Sequence, residues 1–167
     1  IAWMILLRVA SLVILAIWVG GLAVLGFVAA PTIFSTLEAQ DPATGRAVAG
    51  LVFGAVFQRF QYAALGLGAL FMTGLGLRAL LGPRPVRLAW RLWTVAGMLA
   101  LGGASAFLIA PRIDHIRRDT QGSVAALPDT DPRKPEFGRL HGLSKVFMLA
   151  TLVGGVGLIW METKDTP

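Results

Sequence analysis

Long uncharged stretches alternate with short polar ones along this chain, and the uncharged stretches have membrane-crossing length. No charged residue falls between Val9 and Leu37, between Phe60 and Leu77, between Leu92 and Pro111, or between Val146 and Met161. An α-helix rises about 1.5 Å per residue, so about 20 apolar residues cross about 30 Å of hydrocarbon. The pattern predicts four transmembrane helices. Span one covers about Val9–Ala30, and span two lies within a helix from about Ala43 to Leu81. Span three covers about Leu92–Ala110 and span four about Leu140–Met161.

The predicted boundaries have physical causes. Pro31 and Pro111 lack an N–H and bias the preceding alanine away from helical geometry, so a helix break is expected at each. Glu38 to Thr44 is a polar turn, with Asp41-Pro42 as a helix start signal. Gly82-Pro83-Arg84-Pro85 separates spans two and three. A polar loop of about 112–139, containing Pro128, Pro132 and Pro135, separates spans three and four, with a short amphipathic segment near Ile113 to Arg118.

Two motifs recur in one register. F-x-x-A-P-x-I occurs at Phe27–Ile33 and again at Phe107–Ile113, 80 residues on. At the same offset, Phe57-Gln58-Arg59-Phe60-Gln61 matches Phe137-Gly138-Arg139-Leu140-His141, and Gly74 matches Gly154. Pro and Arg inside the matches argue for duplication of a helical hairpin. The expected fold class is all-α: an integral membrane four-helix bundle of two tandem helical hairpins of the same orientation. It forms a single transmembrane domain over 1–167, with repeat one about 9–81 and repeat two about 89–161.

Composition strengthens the membrane assignment. Hydrophobic residues make up 56% and charged residues 14% of 167, and the mean hydropathy is +0.71; a soluble domain carries about a quarter charged residues. The net charge of +6 does not imply nucleic acid, because the basic residues lie in loops between apolar spans and form no single polar face. Arg78, Arg84, Arg87 and Arg91 gather around the second loop with no acid among them, which favours a cytoplasmic placement of that loop and of both termini. The absence of cysteine excludes disulfides and thiolate chemistry. The stretch from Val9 to Leu37 exceeds the apolar region of a secretory signal, about 7 to 15 residues, and is expected to be a retained span. Because the chain opens on Ile1, a missing or processed start is expected.

The segments Ile17-Trp18-Val19-Gly20-Gly21 through Phe27–Pro31, and Phe137–Ser144 with Leu140-His141-x-x-Ser144, resemble a bacterial family of four-span integral membrane proteins of unknown function. That family is related to the transmembrane-protein-205-like proteins. The Trp18-Val19-Gly20-Gly21 motif is more distantly similar to the membrane domain of copper-resistance D proteins. The resemblance implies the four-span fold and a bacterial inner-membrane location, and it carries no catalytic residue. The spans contain no Met-His or His-His cluster suited to copper.

Candidate chemistry is sparse. Arg59 and Arg139 occupy equivalent positions near the starts of spans two and four, with Gln61 and His141 beside them. Together these four residues are the expected site for a ligand or lipid headgroup. The competing reading has each arginine capping carbonyls freed where spans one and three stop. Gly20, Gly21, Gly50, Gly54, Gly154 and Gly155 are expected to seat helix packing, since small residues let membrane helices approach closely. His141 could ligate a chlorin or one face of a haem, but hydrogen bonding within the bundle is the preferred reading, and the sequence requires no cofactor. Asp114-His115 and Asp129-x-Asp131 form no complete metal set, and no catalytic residues are assigned.

The expectation is therefore a non-enzymatic small membrane subunit. It would pack against the lipid bilayer, hydrophobic cofactors and a larger membrane protein complex, such as an energy-transducing one, or against its own copies. The alternatives are an exporter of a small hydrophobic or metal-bound solute and a porphyrin-binding membrane enzyme.

Overall fold

A computed structural model describes residues 2–82, 84–120 and 124–164. Six α-helices build four long rods: α1 (Ala2–Val24), α2 (Ala30–Gln40), α3 (Gly45–Leu81), α4 (Leu88–Ala104), α5 (Ala110–Asp119) and α6 (Arg133–Lys164). All four rods are long and apolar enough to cross a membrane, and the described residues contain no strand. The rods run up and down in a ring, with α1 and α4 each packed between α3 and α6. Equivalent rods of the two hairpins, α1 with α4 and α3 with α6, are thus diagonal to each other.

Pro31 and Pro111 do not end their helices, contrary to expectation. A π-helical turn, Leu25–Ala29, joins α1 to α2, and a second, Ser105–Ile109, joins α4 to α5. The Ala30 N–H donates to the Leu25 carbonyl and the Ala110 N–H to the Ser105 carbonyl, each spanning five residues. Proline lacks an N–H and its ring collides with the carbonyl four residues back; a locally widened turn accommodates both defects without stopping the rod. These turns lie 80 residues apart, in the register of the sequence repeat.

The polar boundaries shift accordingly. Helix α2 continues through Gln40, and the turn that follows is pinned by Asp41, whose carboxylate accepts from the N–H groups of Ala43 and Thr44 and from the Thr44 hydroxyl. These bonds hold the Asp41 carboxyl below its ordinary value of 3.8, that from Thr44 Oγ1 contributing most. In the third loop the amphipathic segment is α5, ending at Asp119, and α6 begins at Arg133, so the irregular chain is shorter than the sequence indicated. Pro83, part of the expected breaker between spans two and three, lies outside the described residues.

The larger of two core clusters fills the half of the bundle nearest the termini, and a smaller one, of Ile109, Ile113, Ile116, Val124 and Leu140, packs α5 against α6 at the other end. Leu15, Trp18, Leu22, Phe71, Leu75, Val95, Met98 and Leu158 are buried together. A Cβ on Gly155 would meet Val19, one on Gly154 Met98 and Thr94, and one on Gly21 the Phe60 ring. Gly20 does not take part: nothing lies within 4 Å of a Cβ built there.

At the same end, Glu162 is fully buried between two arginines that the sequence reading had left without an acid. Arg78 Nη1 donates to Glu162 Oε2 at 2.7 Å, and Arg91 Nη1 to Oε1 at 2.7 Å. Arg91 also donates to the Met161 carbonyl at 2.6 Å. Arg8 reaches the Thr163 carbonyl. These contacts bring the start of α1, the end of α3, the start of α4 and the end of α6 together at one end of the bundle.

Candidate functional site

The opposite end is hollow. A cavity of about 590 Å³ opens among α2, α3, α5 and α6, on the side of the two π turns away from the termini. Its lower wall is largely apolar, with Gly26, Ala30, Phe57, Ile109, Met148 and Leu149, whereas Glu38, Arg46, Asp114, Arg117, His141 and Lys145 supply charge and polarity around it. Such a combination suits a molecule with a polar head and an apolar body.

Two of the four expected site residues meet here. Gln61 and His141, equivalent by the 80-residue offset, both line the cavity. Arg59 and Arg139 do not: both are exposed outside it, and among the described residues neither forms a hydrogen bond or ion pair. The capping role fails too, since the rods continue past Pro31 and Pro111 and neither Arg59 nor Arg139 donates to a carbonyl among the described residues.

Gln61 is nine-tenths buried. Its Nε2 donates to the Ser105 hydroxyl at 2.9 Å across the bundle, and its Oε1 has no partner. Ser105 is the first residue of the second π turn. A buried amide oxygen without a donor carries a desolvation cost of about 1–3 kcal/mol, and π turns recur at functional sites.

Gly50 and Gly54 play a different part from the one their spacing suggests. They seat a side chain where a packed helix was expected: a Cβ on Gly50 would come within 3.1 Å of Arg117 Nη2, and one on Gly54 within 2.8 Å of Nη1. The Arg117 guanidinium also lies over the Phe137 ring at 5.6 Å, and Phe137 stacks on His141 at 6.1 Å between centroids. Phe137 therefore links Arg117 and His141, both of which line the cavity.

The cations are unevenly paired. Arg46 approaches Glu38 at 3.4 Å, and Arg117 approaches Asp114 at 4.0 Å. Lys145, one helical turn beyond His141 on α6, has no acidic partner among the described residues. Lys145, Arg117 and Arg46 line the same cavity as His141, so positive charge converges on it.

The acids of the two incomplete metal patterns face basic side chains. Asp129 accepts from Lys134 and Asp131 from Arg133, while His115 faces Asp119 on the exposed side of α5. Sequence reading missed Glu38, Arg46, Asp114, Arg117 and Lys145 as cavity residues because it treated them as loop or span-end charge. Lys145 alone gave a usable signal, as the one charge on a long apolar run with His141 four residues before it.

Fold and cavity define an all-helical, four-span membrane protein with an internal cavity at the end away from its termini. The domain of unknown function DUF4149 matches residues 13–121, nearly two thirds of the chain, and the chain belongs to that family. The match covers the first three rods, so His141, Lys145 and Glu162 on α6 lie beyond it. Neither a curated protein nor a solved structure matches the chain.

Proposed function

We propose that this protein is a non-enzymatic membrane subunit that holds part of an amphiphilic molecule, a lipid or hydrophobic cofactor, in its cavity while its outer faces pack against partner membrane proteins. The observation that carries this reading is the cavity itself, apolar below and charged at its rim, in an otherwise close-packed bundle. Open glycine backbone at Gly66, Gly97, Gly103 and Gly157 supports the packing role, since small residues allow close approach of neighbouring membrane helices. Membership of a larger energy-transducing complex and a bacterial inner-membrane location with cytoplasmic termini belong to the same proposal. So do the similarities to transmembrane-protein-205-like and copper-resistance D proteins.

The test is native mass spectrometry of the full chain released gently from its membrane. A stoichiometric amphiphile is expected, and it should be lost when Ser144→Trp fills the cavity. Wild-type protein free of bound amphiphile, or equal retention by the filled variant, overturns the reading.

A second reading, export of a small hydrophobic solute, draws support from the same cavity. Movement onward would have to part the Leu15–Phe71–Leu158 core and the Arg78–Glu162–Arg91 cluster beneath it. Solute flux in vesicles that stops with Ser144→Trp would favour this reading.

A further inference from the structure

We infer that the cavity selects amphiphiles with an anionic head, phosphate or carboxylate, that also carry a hydrogen-bond donor; this rests on the amphiphile reading above. The sign of the charge at the cavity carries the first criterion. His141 and Lys145 stand one turn apart on α6 and both line the cavity, and Lys145 is a cation without an acid beside it. Arg46 and Arg117 add charge, each only loosely engaged by its carboxylate, at 3.4 and 4.0 Å. The net balance around the cavity is positive, which a neutral or zwitterionic head would leave uncompensated.

Gln61 supplies the second criterion. Its Oε1 is an acceptor, buried at the cavity wall with no donor in the protein. A hydroxyl or amide N–H on the ligand would satisfy it, and a site built around a buried acceptor discriminates against molecules that leave it empty. The apolar wall of Ala30, Met148 and Leu149 then takes the beginning of the hydrocarbon chain. A free inorganic anion would leave that wall uncovered.

The experiment titrates purified full-length protein with short-chain phosphatidylglycerol, phosphatidylmethanol, phosphatidylcholine and inorganic phosphate, reading occupancy by native mass spectrometry. Phosphatidylglycerol, which has both an anionic phosphate and hydroxyls, should bind at least roughly tenfold more tightly than phosphatidylcholine, a loss typical of one charge-assisted hydrogen bond. Lys145→Gln should abolish that preference, and Gln61→Leu should narrow the gap between phosphatidylglycerol and phosphatidylmethanol, an anionic phosphodiester with no hydroxyl. Arg59→Ala and Arg139→Ala, outside the cavity, should leave both preferences intact.

Equal binding of phosphatidylglycerol and phosphatidylcholine overturns the anionic selectivity while leaving the amphiphile reading standing. Binding of inorganic phosphate as tightly as phosphatidylglycerol overturns the lipid source of the anion. An effect of Arg59→Ala as large as that of Lys145→Gln also overturns the proposal, because it would mark general surface charge. No binding of any lipid removes the underlying reading as well.

Discussion

The guanidinium of Arg117 rests on the bare backbone of Gly54, close enough that a Cβ there would lie 2.8 Å from Nη1. The obstructing atom is the far end of a flexible side chain, so Gly54→Ala should displace Arg117 without unfolding the bundle. Alanine also gains up to about 1 kcal/mol of helix propensity over glycine. The expected outcome is an unchanged or slightly raised melting temperature, with faster modification of Arg117 by an arginine-selective dicarbonyl. A large drop in stability with unchanged labelling would instead mean that Gly54 seats a neighbouring helix.

Gly155 and Gly20 make a sharper contrast. A Cβ at Gly155 would lie 2.3 Å from Val19 Cγ2, in a β-branched side chain with little room to move, whereas Gly20 faces open space. Gly155→Ala should cost about 1–3 kcal/mol by overpacking, and Gly20→Ala should be neutral or mildly stabilising. Thermal unfolding of both variants in one detergent measures the difference.

Removing Glu162 should be the most damaging single change. It would strand Arg78 and Arg91 beside a fully buried position, and breaking a buried ion pair costs about 3–5 kcal/mol. Replacing all three together by apolar residues, as Arg78→Met, Arg91→Met and Glu162→Leu, should recover most of that loss, because the desolvation penalty disappears with the charges. Denaturation midpoints of the single and triple variants check this; a triple variant as unstable as Glu162→Leu would refute it.

The third loop should resist acid. The Asp131 carboxyl is lowered from its ordinary value of 3.8 to about 2, chiefly by the Arg133 side chain and then by the Arg133 backbone N–H. A depressed carboxyl contributes its stabilisation in full above the unfolded value, and the contribution disappears as the pH falls through about 2. Hydrogen exchange at Arg133 should therefore stay slow at pH 4, whereas Asp131→Asn should accelerate it at that pH and above.

The spans were legible because hydropathy is local: a run such as Phe60–Leu77 announces its length without knowledge of its neighbours. The repeat was legible because Pro31, Pro111, Arg59 and Arg139 are rare enough residue types in this chain to fix a register. What the prolines do was not legible, since the choice between ending a helix and widening one turn depends on whether the chain beyond has something to pack against, as α2 has in α3. The Arg78–Glu162–Arg91 cluster joins positions 84 and 71 residues apart. Its one sequence signal was Glu162 closing a 16-residue uncharged run, since an acid at the edge of a span generally needs a named partner. The cavity was half legible, through Gln61 and His141, but no pattern in the chain reveals that Arg117 lies against glycines on another rod.

The widened turns also change the gearing of each rod. In an unbroken helix one extra residue would advance everything after it by about 100°, and the widened turn absorbs that residue instead. Phe34 and Glu38 reach the cavity because of it. Straightening the turn at full length would swing both side chains around the rod's circumference, whereas deleting one alanine at Ala29-Ala30 at the same time would bring them back. Which side chains the outer chamber presents therefore depends on the turn staying wide, and the packed half beneath it does not.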